Sequence, residues 1–106
     1  MTQEDVPLLA MAVPVHHRGS NLSVRRGTRW LGVTAVRLPL PEGGTSAPVP
    51  LVTRSLPFQQ LTDADLADEH DPACRTLEGL LRVLQTHYPG FSAQEMVTLC
   101  RYHWAD

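Results

Sequence analysis

The chain has 106 residues, of which 42% are apolar and 19% charged, with a formal net charge of −2. That is one domain's worth of globular composition, too apolar for a disordered chain and expected to bury one modest core in a single compact unit. No apolar run approaches the roughly 18 residues that a bilayer crossing takes.

Met1–Pro7 carries Glu4 and Asp5 but no Lys or Arg, unlike a secretory start, so a cytoplasmic protein is expected. Cys74 and Cys100 cannot define a disulfide framework and are expected to be reduced, buried thiols. The modest net charge hides an asymmetry. Val6–Pro41 holds Arg18, Arg25, Arg26, Arg29 and Arg37 and no acid. Asp63–Glu78 holds Asp63, Asp65, Asp68, Glu69, Asp71 and Glu78 against one base, Arg75. Either the two segments pair, or an electropositive face lies beside an acidic one. Every base is an arginine. The planar guanidinium fork suits phosphate and base stacking; genomic base composition gives the same bias.

Leu8–Val15, interrupted by Pro14, reads as a frayed helix or a first strand, and the pattern does not choose. His16–Asn21 reads as a polar turn around Gly19. Leu22–Arg25 alternates, with Leu22 and Val24 on one side and Ser23 and Arg25 on the other, which predicts a half-buried strand. Gly27 marks a turn or bulge. Trp30–Leu38 is rich in β-branched and aromatic residues and predicts a strand with Gly32 as a bulge. Pro39–Pro50, with four prolines, Gly43 and Gly44, predicts a surface loop without a ladder. Val49–Leu56 predicts a strand that Pro57 ends.

Thr62 with Asp65 predicts an N-capped short helix running to about His70, broken by Asp71-Pro72. Leu77, Leu80, Leu81, Leu84 and Tyr88 share one helical face. Thr76 caps that helix, Glu78 suits its positive start, and Pro89-Gly90 stops it. Met96–Trp104 is apolar on both faces and predicts an interior strand. Strands, two consecutive helices and a last strand make a single α+β domain with a mainly antiparallel sheet.

The run Leu56-Pro57-Phe58-Gln59-Gln60-Leu61-Thr62-Asp63-Ala64-Asp65 leads into Leu66-Ala67-Asp68-Glu69-His70. Thr76-Leu77-Glu78-Gly79-Leu80-Leu81, Tyr88-Pro89-Gly90 and a closing strand follow. This order resembles the ASCH domain family, including its small bacterial members that hydrolyse acetylated cytidine. The likeness covers Val49–Trp104, about half the chain. It implies a small PUA-like β-barrel with two helices beside a cleft, a link to RNA and, in some members, nucleoside amide hydrolysis. The family's Gly-x-Lys-x-x-Thr-x-Arg segment is matched best by Arg18–Arg25. There Ser23-Val24-Arg25 stands for Thr-x-Arg, Ser20 falls in the lysine place, and the first glycine is displaced to Gly19. The helix that precedes this segment in the family is shortened or lost.

The resemblance makes Ser23 the nucleophile, Glu69 the proton donor and the lysine the base. No lysine exists in this chain. Arginine stays protonated and cannot replace it. His16 and His17 titrate near neutrality but stand elsewhere in the motif, and a serine without a base is a poor nucleophile. The expectation is a binding fold with weak or absent hydrolysis. Clustered carboxylates would raise the pKa of Glu69 and favour a proton donor; a solvated helix residue is the plainer alternative.

Arg18, Arg25, Arg26 and Arg29 beside Trp30 make a basic patch with an aromatic, suited to single-stranded RNA. The plainer alternative is a surface arginine row with Trp30 in the core. Adjacent His16 and His17 diverge on a strand, and no spacing resembles a zinc ligand set. Cys100 within an apolar strand and Cys74 among acids do not favour thiolates. Gly43-Gly44 lacks the strand-to-helix setting of a phosphate loop. The partner expected is RNA or a modified nucleoside, with no cofactor, metal or membrane. Two alternatives stand beside it: an amidohydrolase acting on acetylated cytidine-type nucleosides through Ser23 and Glu69, and an adaptor presenting its acidic helical face to a basic protein.

Overall fold

A computed structural model describes residues 6–105, so the acidic start at Glu4 and Asp5 lies outside the described residues. In chain order the strands are β1 (Gly19–Arg26), β2 (Ala35–Val36), β3 (Val49–Pro50), β4 (Val52–Pro57) and β5 (Met96–Trp104). One α-helix, α1 (Leu77–His87), precedes β5 among the described residues. The strand β5 lies between β1 and β4 and is antiparallel to both, while β2 and β3 form a separate antiparallel pair.

The two-faced apolar pattern of β5 is the reason for its central place. Alternate side chains leave a strand on opposite faces. Val97 and Leu99 enter a core with Leu22, Phe58, Leu80, Leu84 and Phe91. Cys100 and Tyr102 enter a second core with Leu9, Val36, Leu38 and Leu51. The first lies under α1 and the second under β2 and β3. An α+β chain with antiparallel sheets is therefore as expected, but the described strands do not close into a barrel.

Several local expectations are corrected. Leu8–Val15 is neither helix nor extended strand: Leu8 makes an isolated parallel bridge with Arg37. Trp30–Leu38 is strand only at Ala35–Val36. Its start is taken by two tight turns, in which Leu31 N–H donates to Thr28 O at 3.0 Å and Val33 N–H to Trp30 O at 3.1 Å. Gly32, at φ 85°, is the third residue of the second turn, where a positive φ is needed, and is not a bulge. The stretch Pro39–Pro50 is not ladder-free, because Pro39 bridges Thr45 and Ser46 N–H donates to Leu38 O at 2.8 Å. Val49–Leu56 is split at the buried Leu51, where the chain crosses from one sheet to the other.

The two consecutive helices reduce to one. Thr62 and Asp65 do form a reciprocal capping box, but it starts a single 3-10 turn, Asp63–Leu66. Helix does not continue to His70 because the next residues are recruited to the free edge of β1. Leu22 N–H donates to Asp68 O and His70 N–H to Leu22 O, each at 2.8 Å. A further 3-10 turn, Pro72–Cys74, capped by Asp71, leads to α1. Thr76 Oγ1 accepts the Gly79 N–H at 3.1 Å, as expected of the cap.

Candidate functional site

The recruited segment Asp68–His70 carries Glu69 into the interior, where 2% of it is exposed. Its Oε2 accepts the N–H of Val24 at 3.2 Å, continuing the edge pairing that Leu22 begins. Its Oε1 accepts the N–H of Asp71 at 3.3 Å and lies 3.2 Å from Nε2 of His70, which is also buried. Nδ1 of His70 lies 3.1 Å from the carbonyl oxygen of Val15. A carbonyl only accepts, so Nδ1 carries a proton, and the tautomer follows from that network.

The remaining proton of the pair sits either on Glu69 or on His70 Nε2. Burial, with a smaller push from Asp71, raises the Glu69 carboxyl to about 8, against the N–H donors of Asp71 and Val24 and the charge of Arg25. Burial and the nearby Arg25 lower His70 to about 4, against its bond to Val15 and the charge of Asp71. Near neutrality the contact is therefore a neutral acid donating to a neutral imidazole, not an ion pair. Desolvating two charges in a closed site costs more than their attraction returns. The rise of the Glu69 pKa comes from burial first and from neighbouring carboxylates only second.

Ser23, 2% exposed, lies on β1 beside this pair. Its Oγ accepts Nε–H of Arg25 at 2.9 Å. No imidazole or carboxylate takes its proton among the described residues, so nothing there activates it as a nucleophile.

Ser23, Arg25, Arg26, Glu69 and His70 all line one hollow of about 560 Å³. Leu80, Val83 and Leu84 of α1 form one wall, Ala10–Val13 another, and His87 and Tyr88 the rim. The volume is within the usual range for small-molecule sites. Arg26 donates from Nε to Glu95 at 2.9 Å, and its guanidinium lies 4.9 Å from the centre of the Tyr88 ring.

The other residues expected at the site are elsewhere. Arg18 and Arg29 are exposed and outside this hollow. Trp30 packs partly buried against the second core, with Arg29 6.0 Å from its ring centre. The sequence reading missed His70, His87, Tyr88 and the Ala10–Val13 wall. The histidine adjoining Glu69 and the Tyr88-Pro89-Gly90 helix stop were the available signals for three of them.

The two oppositely charged segments do not neutralise each other. Among the described residues the acids of Asp63–Glu78 pair with Arg82, Arg101 and His70, not with the early arginines. Burial pushes the Cys74 thiol up to about 12 and the Cys100 thiol up to about 11. No group of three or more His, Cys, Asp or Glu is placed to hold a metal ion among the described residues. Nor is any helix among them long and apolar enough to cross a membrane. A second hollow, of about 400 Å³ beside β4, has its Arg101 already engaged by Asp68 and Ser20.

No family model matches the chain, and neither a curated protein nor a solved structure matches it significantly.

Proposed function

We propose that this chain is an ASCH-like domain of the cytoplasm that binds RNA or a nucleoside in the arginine-lined hollow, with weak or absent hydrolysis. One observation carries the reading: Ser23 and Arg25 on one side and Glu69, more than forty residues later in the chain, matched to the family's site by motif alone, line a single cavity. Tyr88 at the rim, with the Arg26 guanidinium on one side of its ring, offers the other face for a base to stack on. In this reading the three-stranded sheet centred on β5, with the β2–β3 pair over one of its faces, is an opened form of the PUA-like barrel. The absence of a base beside Ser23 supports binding over turnover.

Titration of short single-stranded RNA against the intact protein at several salt concentrations tests it. Binding should weaken steeply with salt, and Arg25→Ala or Arg26→Ala should lower the slope by about one. Salt-independent binding, or none, removes the proposal.

A second reading keeps one observation in its favour: Glu69 is protonated near neutrality and so is equipped to donate a proton. It predicts acetate release from acetylated cytidine that disappears in both Ser23→Ala and Glu69→Gln. No turnover by the unaltered protein ends that reading.

A further inference from the structure

Four arginines of the described residues are neither fully exposed nor fully buried: Arg25, Arg37, Arg75 and Arg101. Three have a strong acceptor. Arg37 Nε donates to Val6 O at 3.1 Å, Arg75 Nε to Glu69 O at 2.9 Å, and Arg101 Nη1 to Asp68 Oδ2 at 3.0 Å. Arg25 differs. Its Nε donates to the Ser23 hydroxyl, and neither Nη finds a hydrogen-bond partner among the described residues. The ion pairs that arginines make there involve Arg26, Arg82 and Arg101, not Arg25.

Withdrawing a guanidinium from water without a counter-charge is unfavourable. No buried side-chain nitrogen or oxygen lacks a partner among the described residues, so the Nη groups are not sealed in; they open to the hollow that Arg25 lines. Two carboxyls line the hollow with Arg25: Glu69, which burial pushes up to about 8 and which is turned to Val24, His70 and the Asp71 N–H, and Asp71, whose own carboxylate is engaged by the Ala73 N–H and the Cys74 thiol. Arg26 at the rim is compensated by Glu95. The hollow thus holds a pre-oriented cation whose two parallel N–H groups await an acceptor from outside the chain.

We propose that the hollow takes a phosphate-bearing ligand, a mononucleotide unit, whose oxyanion docks in fork geometry on Nη1 and Nη2 of Arg25. This rests on the nucleoside reading above and sharpens it: the ligand is the phosphorylated form, not the neutral nucleoside. The guanidinium matches two phosphate oxygens at once. Ser23 fixes the orientation of the fork by holding Nε.

Two measurements test the assignment. In the first, inorganic phosphate is titrated onto the isotope-labelled intact protein while the Arg25 Nε–H resonance is followed. Saturable shifts are expected in the unaltered protein; followed through the Ser23 and Val24 backbone amides, which every variant keeps, the response should be weaker in Arg25→Lys, which keeps the charge but loses the fork, and absent in Arg25→Gln. Acetate also fits the fork but carries a single charge, so it should move the resonance only at several-fold higher concentration; an equal response to acetate overturns the phosphate assignment.

In the second, calorimetry compares the four ribonucleosides with their monophosphates. The matching monophosphate should bind about tenfold tighter or more, the gain of a charge-assisted contact. In Arg25→Gln that ratio should collapse to about one. Equal affinities together with an unmoved Arg25 resonance overturn this inference and leave the nucleoside reading standing. Phosphate binding at Arg25 without binding of any nucleoside, nucleotide or RNA does the reverse. Should Arg25→Gln fail to fold, the phosphate titration of the unaltered protein decides alone.

Discussion

Glu69 and His70 are neighbours in sequence that share one proton in the interior, at 3.2 Å between Oε1 and Nε2. The same carboxyl closes the edge of β1 through Val24. One residue thus joins the electrostatics of the hollow to the integrity of the sheet.

This pair gives the protein a stability plateau on the acid side. Glu69 has a folded pKa near 8, above its ordinary 4.5, so its contribution is full below pH 4.5 and is lost as pH rises toward 8. His70 has a folded pKa near 4, below its ordinary 6.5, so its contribution is full above pH 6.5 and is lost as pH falls toward 4. Between 4.5 and 6.5 the two slopes cancel, since folded and unfolded states each hold one proton on the pair. Above pH 6.5 only the folded state holds it, and stability should fall by on the order of 1–2 kcal/mol by pH 8. Urea unfolding from pH 4 to 9 reads this; a rise between pH 6.5 and 8 would show an ion pair instead.

The protonation state also orders two substitutions. Glutamine imitates most of a protonated glutamate: its amide oxygen can accept from Val24 and its NH2 can donate to His70 Nε2, at the loss of only the long 3.3 Å bond from the Asp71 N–H. Glu69→Gln should therefore cost less than about 1 kcal/mol, whereas Glu69→Ala strands the Val24 N–H and the imidazole and should cost about 2–4 kcal/mol. Equal losses in chemical denaturation would contradict the assignment.

Gly79 should resist replacement. A Cβ at this position would run into the carbonyl oxygen of Ala73, in the turn packed on the start of α1. Helix propensity favours alanine by about 1 kcal/mol, but a backbone collision in a packed site costs about 1–3 kcal/mol. Because this obstacle is backbone, Gly79→Ala is expected to lower the midpoint of thermal unfolding. A raised midpoint would show that the turn yields easily.

Both thiols should be silent. Cys74 and Cys100 are buried and unpaired, and burial holds each in the protonated form far above neutrality. A thiol reagent at pH 7.5 should label neither in the native protein and both in urea. Rapid native labelling would mean that one core opens easily.

Hollow occupancy should fade in alkali. Once Glu69 ionises it supplies Arg25 with an internal counter-charge and repels an incoming anion. Cys100, Tyr88 and Tyr102 also face Arg25, and burial keeps Cys100 and Tyr102 neutral through this range. Asp71 and His70 face Glu69 from its own segment. Phosphate affinity should decline on passing pH 8, and Glu69→Gln should remove much of that decline.

The sequence made β5 and α1 legible because each announces itself locally. An apolar pattern on both faces of Met96–Trp104 suits a strand covered on both sides and little else, and the Leu77–Leu84 stripe with Thr76 before it is complete in itself. Trp30–Leu38 misled because its composition favours strand while Gly32 builds a turn inside it. Glu69 was expected on a helix because the capping box at Thr62 is genuine. What stops the helix is the pairing of Asp68 and His70 with Leu22, a long-range contact that no local pattern reports. The same limit hid Tyr88 and Ala10–Val13, which meet only when the chain has closed around the hollow.

The position of β5 has a consequence for assembly. The strands β1 and β4 precede it by many residues yet touch only through it. Until residues 96–104 have left the ribosome, neither core has its shared wall and both earlier strands lack their central neighbour. Synthesis therefore delivers the keystone after both of the strands it joins, which stay without their central neighbour until it arrives.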